Sequence, residues 1–251
     1  MKLLRARHAV LDFLLPTDCF LCGDPVDAHQ RLGACSECWL GIRPIRDPYC
    51  RRCGQPAPES TDLLGPARGS CATCVVDSAD PADEVRAAVV YDARARGVLL
   101  RAKFGGRTEL FRVLGDQVAA GLRAAKMAER GEWIVPVPSH PWADLRRGFS
   151  PAREIGRRVA RNLELPFRPH GLGRRWIPWR GVKRLAKSQR RIAIRRAIVA
   201  RRGFAGRRVL LVDDVMTTGA TGGACVAALR QAGASEVRIA VWARAIRGQP
   251  T

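Results

Sequence analysis

Residues 209–221 read VLLVDDVMTTGAT. Four consecutive branched apolar residues, Val209 to Val212, suit a strand buried on both faces, and two acids, Asp213 and Asp214, emerge at its end. A Thr/Gly turn then enters TGGACVAALRQAG (221–233), a helical run closed by Gly233. Such a turn gathers backbone N–H groups, the hydroxyls of Thr217, Thr218 and Thr221, and the positive end of a helix dipole around one point, where a phosphate fits. Carboxylates beside it accept hydrogen bonds from vicinal sugar hydroxyls, so the stretch suits a ribose 5-phosphate. It lacks the GxxxxGKS/T pattern of nucleoside-triphosphate loops.

The flanking sequence alternates in the same way. AAVVY (87–91) and EVRIAVWA (236–243) predict strands, and WIVPVP (133–138) predicts a buried strand ending at prolines. RARGVLLRAKF (94–104), residues 109–127 and PAREIGRRVARNLEL (151–165) predict helices; in the second, Leu110, Val113, Leu114, Val118 and Leu122 fall at helical spacing. Strands alternating with helices predict an α/β fold, a parallel sheet flanked by helices, with ligands taken at the carboxyl ends of the strands.

Upstream, eight of the nine cysteines form four CxxC pairs: Cys19/Cys22, Cys35/Cys38, Cys50/Cys53 and Cys71/Cys74. Each pair presents two thiolates on one tight turn, and two turns complete the tetrahedral sulfur shell that Zn²⁺ prefers. CFLCGDPV followed by CSEC is echoed by CRRCGQPA followed by CATC, with Gly23 and Gly54 placed to turn the chain beneath a metal. The simplest pairing is sequential, giving two structural zinc ions; an interleaved pairing and iron–sulfur ligation remain open on spacing alone. Residues 17–78 hold few large apolar side chains, so metal replaces the missing core. Zinc thiolates imply a reducing, cytoplasmic setting. Cys225 stands apart in apolar sequence, as a buried core residue.

Of 251 residues, 47% are hydrophobic, which excludes wholesale disorder, and no apolar run reaches the roughly 18 residues of a spanning helix. In MKLLRARHAVLDFLL, Asp12 interrupts the apolar stretch and no small-residue cleavage site follows, so residues 1–16 read as an amphipathic helix rather than a signal peptide. The net charge of +21 is unevenly placed: residues 165–212 carry 15 Lys/Arg and no acid, against 25 and 20 in residues 1–164 and 4 and 3 in 213–251. An acid-free block points to a polyanion partner, with a solvated basic loop as the bland alternative. Trp176 and Trp179 sit among the arginines, the mixture that holds single-stranded nucleic acid by phosphate contacts and base stacking. QRRIAIRRAIVARR (189–202) also reads as an amphipathic helix, a weaker membrane-surface alternative.

VLLVDDVMTTGAT resembles the phosphoribosyl-pyrophosphate (PRPP) motif of type I phosphoribosyltransferases. Joined to the CxxCG knuckles, YDARARGVLLRAKFGG (91–106) and VPVPSHPWADLRRGFSPA (135–152), it is similar to the ComF competence-protein family over nearly the whole chain, most weakly at about 166–205. The resemblance implies a double zinc-ribbon module over 17–78 and a type I phosphoribosyltransferase fold over 85–251. It implies that Asp213 and Asp214 take the ribose hydroxyls, that Thr217, Thr218, Gly219 and Thr221 hold the 5-phosphate, and that Mg²⁺ arrives with PRPP. Arg147 and Lys103 become the cations for pyrophosphate, Arg147 the better suited because a guanidinium matches diphosphate oxygens in bidentate fashion; His140 reads as a capping or packing residue.

The same resemblance implies that the protein handles internalised single-stranded DNA during transformation with a competence helicase as partner; the residues of the basic block, not the resemblance, make Trp176, Trp179, Arg190, Arg191, Arg195 and Arg196 the nucleic-acid contacts. An active phosphoribosyltransferase of small-molecule metabolism is the alternative, to be distinguished by pyrophosphate release. Departures from the family pattern bear on that choice. RGFSP stands for RGFNQ, and KRLAKSQRRIAIRRAI keeps Arg190 but has Ala193 for asparagine and Ile198 for phenylalanine, in the segment that closes over the reacting centre in related transferases. Thr217 occupies the place of the aspartate that purine salvage enzymes carry, and the N-terminal cysteines are arranged as metal ligands rather than as the nucleophile of a glutaminase half, so purine salvage and amide transfer are both disfavoured.

Overall fold

The computed structural model describes residues 17–26, 33–57, 70, 71, 74, 82–175, 193 and 195–246. The expected helix at 1–16 lies outside them, as do Trp176, Trp179, Arg190 and Arg191.

The elements follow in chain order: β1 (Thr17–Asp18), β2 (Pro25–Val26), α1 (Ser36–Leu40), β3 (Val85–Val90), α2 (Ala93–Phe104), α3 (Leu110–Ala124), β4 (Trp133–Pro136), α4 (Pro141–Arg147), α5 (Pro151–Leu163), β5 (Leu172–Arg174), β6 (Ile198–Ala200), β7 (Arg208–Met216), α6 (Ala220–Gln231) and β8 (Glu236–Arg244). Four strands form a parallel sheet in the order β3-β8-β7-β4, with β7 and β8 at its centre. The expected parallel sheet flanked by helices is therefore present. One expectation changes: Ile198, read as part of a helix, begins β6, which pairs antiparallel with β5. Helix stops at Ala197, and a β-branched pair, Ile198 and Val199, takes the extended form that suits it.

Both faces of the sheet are covered, and strand parity decides which residue meets which layer. Leu210 and Val212 of β7 pack with Leu114, Val118, Ile155 and Val159 beneath α3 and α5. Val209 and Leu211 face the other way, onto Cys225, Val226 and Leu229 of α6. Cys225 is fully buried there, as its sequence context implied.

Each open edge of the sheet is capped. Ile45 N–H donates to the Ala88 carbonyl (2.9 Å) and Val90 N–H to the Arg43 carbonyl (2.8 Å), so the chain leaving α1 runs along β3. Residues 166–168 do the same for β4, through Ile134 N–H to the Pro166 carbonyl (2.9 Å) and Arg168 N–H to the Ile134 carbonyl (2.8 Å). Unpaired edges invite association with other chains, and these are occupied. The first edge contact also docks the cysteine-rich segment onto the α/β layer. There Leu21 fits over Gly97 of α2, where a Cβ would come within 2.4 Å of Leu21 Cδ2.

Candidate functional site

β7 does not end at its apolar run. Pairing with β8 continues through Val215↔Ala243 and Met216↔Arg244, so both aspartates are strand residues. Alternation then separates them. Asp213 shares the α6 face with Leu211 and lines a pocket with Val137, Thr217, Thr218, Gly219, Thr221 and Gly222. Asp214 turns toward α2, where its Oδ2 pairs with Lys103 Nζ. The structure thus brings Asp213 and the Thr217–Thr221 turn to one cleft and places Asp214 and Lys103 together on the opposite face of the strand.

The turn has the geometry an anion site needs. Gly219 is the N-cap of α6 at φ 79°, and a Cβ there would lie 2.7 Å from Met216 Cε. Glycine alone adopts that backbone without strain. Gly219 offers no side-chain cap, and apart from a 3.4 Å contact of Ala220 N–H with the Thr218 hydroxyl this leaves N–H groups of the first turn for a ligand. Thr217 and Thr218 are exposed and Thr221 half-buried, so their hydroxyls are accessible from the cleft. Burial, and secondly the neighbouring Asp214 charge, push the Asp213 carboxyl well above the usual carboxylate range.

The VPVP loop reaches the same cleft through Val137, while its cations are held back. Arg147, last residue of α4, pairs with Asp144 (3.0 Å) and does not line the pocket. His140 is the N-cap of α4. Ser150, the departure from the family loop, is buried and lies 3.2 Å from Ser139, hydroxyl to hydroxyl, which ties the two ends of the loop together.

The eight paired cysteines gather into two sequential sets: Cys19, Cys22, Cys35 and Cys38, and Cys50, Cys53, Cys71 and Cys74, each with all sulfurs within 4.8 Å of one another. Tetrahedral ligation at the usual Zn–S length of about 2.3 Å requires sulfurs about 3.8 Å apart. Cys22 and Cys35 are separated by 3.7 Å and Cys53 and Cys71 by 3.8 Å, close to that spacing, so the residues present fit zinc. Backbone amides point at the sulfurs: Cys35 N–H to Cys19 Sγ (3.3 Å) and Cys71 N–H to Cys50 Sγ (3.2 Å). The Cys53 thiol first, with backbone amides, lowers Cys50 to about 4, and burial of Cys19 is outweighed by backbone amides that lower it to about 6. Each set therefore holds a thiolate ready for a metal.

Of the six residues assigned as nucleic-acid contacts, Arg195 and Arg196 lie among the described residues and are exposed. Sequence reasoning missed Gly222, which lines the pocket, and Arg244, which is fully buried behind the turn.

A family model described as a double zinc ribbon domain matches residues 10–75, and one described as a phosphoribosyl transferase domain matches residues 181–250. Competence protein F of Haemophilus influenzae is 28% identical over 220 residues, covering 85% of this chain and 91% of that protein. Among solved structures, an allosteric regulatory enzyme of purine biosynthesis shows 26% identity over 52% of this chain with a TM-score of 0.36. The glutamine PRPP amidotransferase of B. subtilis shows 25% over 51% with a TM-score of 0.35. The aligned part spans about a quarter of each of those two enzymes. The chain thus carries a match to a double zinc ribbon domain ahead of a match to a phosphoribosyl transferase domain. Among the described residues no helix is long and apolar enough to cross a membrane.

Proposed function

We propose that this chain is a cytoplasmic ComF-like protein that binds PRPP with Mg²⁺ at the end of β7 and handles internalised single-stranded DNA in natural transformation. In this reading residues 17–78 are the zinc-bound module and 85–251 the PRPP-binding domain. The observation that carries it is the convergence of Asp213, the Thr217, Thr218 and Thr221 hydroxyls and the open amino end of α6 on one cleft. The turn takes the 5-phosphate and Asp213 the ribose hydroxyls.

Mg²⁺ would enter with PRPP, and Asp213, which lines the cleft, would offer it a hard oxygen donor of the kind this ion selects. The ion neutralises diphosphate charge when bound. Arg147 is the cation we assign to the pyrophosphate once it exchanges Asp144 for diphosphate, and Lys103, which pairs with Asp214 across β7 from the cleft, is the second.

The DNA role draws on likeness to a protein named for competence and on the acid-free block at 165–212, with Arg195 and Arg196 exposed. Its test is single-stranded DNA binding across a salt series. Phosphate contacts give a log K that falls with log[salt] by about 0.7 per contact. Replacing Arg190, Arg191, Arg195 and Arg196 by alanine lowers both affinity and slope, whereas replacing Trp176 and Trp179 lowers affinity at nearly constant slope. Salt-independent binding, or binding indifferent to the arginine changes, sinks the DNA assignment.

A further inference from the structure

Arg244 closes β8 with its side chain fully enclosed, and its guanidinium spans two parts of the molecule. Nε donates to the carbonyl of Cys53 at 2.6 Å. Nη1 donates to the carbonyls of Met216 (2.8 Å), Ala245 (3.0 Å) and Thr217. Cys53 belongs to the second four-sulfur set, and Met216 and Thr217 open the phosphate turn. In a trans peptide the N–H points opposite to the C=O, so fixing the Met216 and Thr217 carbonyls on Arg244 directs the Thr217 and Thr218 N–H groups away from it. The same side chain that holds the knuckle thus orients two donors of the turn.

The knuckle has little freedom to shift independently. Val85 N–H donates to the Arg51 carbonyl (2.6 Å), and a Cβ on Gly54 would lie 3.0 Å from Val85 Cγ1. Gln55 Nε2 reaches the Ala245 carbonyl at 3.4 Å, and Ala245 N–H returns to the Met216 carbonyl at 3.1 Å. The first four-sulfur set takes another route: Phe20 lies under the Arg101 guanidinium and Leu21 over Gly97, both on α2.

We propose that Arg244 is a positioning residue that couples the second four-cysteine centre to the phosphate turn, so that metal occupancy at Cys50, Cys53, Cys71 and Cys74 sets the turn's affinity for an anion. The metal fixes the Cys50–Gly54 turn through two of its sulfurs. Without it the Cys53 carbonyl loses its place, a buried guanidinium loses a partner, and the carbonyls of Met216 and Thr217 are no longer held against it. The binding part of this inference rests on the sugar-phosphate reading of the turn; the coupling itself does not.

The test uses the full chain loaded with zinc, and reads amide hydrogen exchange over 216–223 beside titration with ribose 5-phosphate. Cys71→Ser is expected to speed exchange in the turn and weaken ribose 5-phosphate at least about tenfold, the scale of a lost charged hydrogen bond, with protection at 209–212 retained. Cys22→Ser, which disables only the first centre, leaves both at the wild-type level. Arg244→Met reproduces the Cys71→Ser result with zinc still bound at both centres, and Arg244→Lys, which keeps the charge but not the fork, falls between. If Arg244→Met loses protection at 209–212 and so unfolds, Arg244→Lys and Cys71→Ser decide. Equal effects of the two cysteine variants, or a turn indifferent to Cys71→Ser, overturn the coupling. Turn exchange that responds to Cys71→Ser in a protein that never binds ribose 5-phosphate supports the coupling and refutes the sugar-phosphate reading instead.

Discussion

Glu132 is fully enclosed at the end of the sheet away from the cleft, with Arg238 Nε 3.1 Å from its Oε1. Arg238 also meets Glu129 (3.2 Å) and Glu236 (3.3 Å), so one buried guanidinium serves three carboxylates. Burial wins over that attraction and pushes the Glu132 carboxyl up to about 7. The folded chain then holds a proton that the unfolded chain releases near 4.5. Stability from this group is full below that value and is lost as pH rises through about 7. The stability of the wild type minus that of Glu132→Gln should therefore fall by an amount on the order of 3 kcal/mol between about pH 4.5 and 7.5. Denaturant unfolding of the pair across that range checks it; a difference constant with pH contradicts it. Nothing in EVRIAVWA announced this cluster, because a charged residue alternating with apolar ones reads as a solvated strand face, and here that position is covered.

The strand–turn–helix unit β7–α6 was legible because its residue types are restrictive: branched apolar residues, two acids, then Thr/Gly at a helix start. What it could not convey is parity. Val209 to Val212 is apolar on both faces, so the sequence gives no sign of which face each aspartate takes, and only packing against α6 and α2 sends Asp213 to the cleft and Asp214 to Lys103. The zinc sets were legible for a related reason, since CxxC spacing is dictated by ligand geometry, whereas Arg244 depends on contacts 191 residues apart in the chain. Phe111, fully buried beside Leu110 and Leu114, was likewise hidden by reading α3 as a narrow stripe. At this scale Gly219→Ala tests the turn. A residue with a Cβ at φ 79° costs roughly 1–2 kcal/mol and presses on Met216, so PRPP affinity should drop severalfold while the thermal midpoint moves by only a few degrees. Unchanged affinity contradicts the cradle geometry.

Across the whole molecule, two small four-cysteine clusters lie beside a sheet that has its own two-sided apolar core. Elemental analysis of carefully reduced protein should give close to two zinc ions per chain, the count set by the two four-sulfur groups. Chelation should expose the cysteine-rich segment to protease before β7 and α3 lose protection, because the core around Leu114, Ile155 and Leu210 is built mostly from the sheet and its helices. Iron in place of zinc, or simultaneous loss of both parts, contradicts this. The central claim is that the cleft at the end of β7 holds a sugar phosphate through Asp213 and the Thr217–Thr221 turn. Calorimetric titration of zinc-loaded protein with PRPP and Mg²⁺ tests it most directly, with Asp213→Asn titrated in parallel. The account predicts one site per chain, weakened by about 1–3 kcal/mol in the variant, the scale of hydrogen bonds to a charged group. No heat of binding in the wild type, or equal affinity in Asp213→Asn, would contradict it.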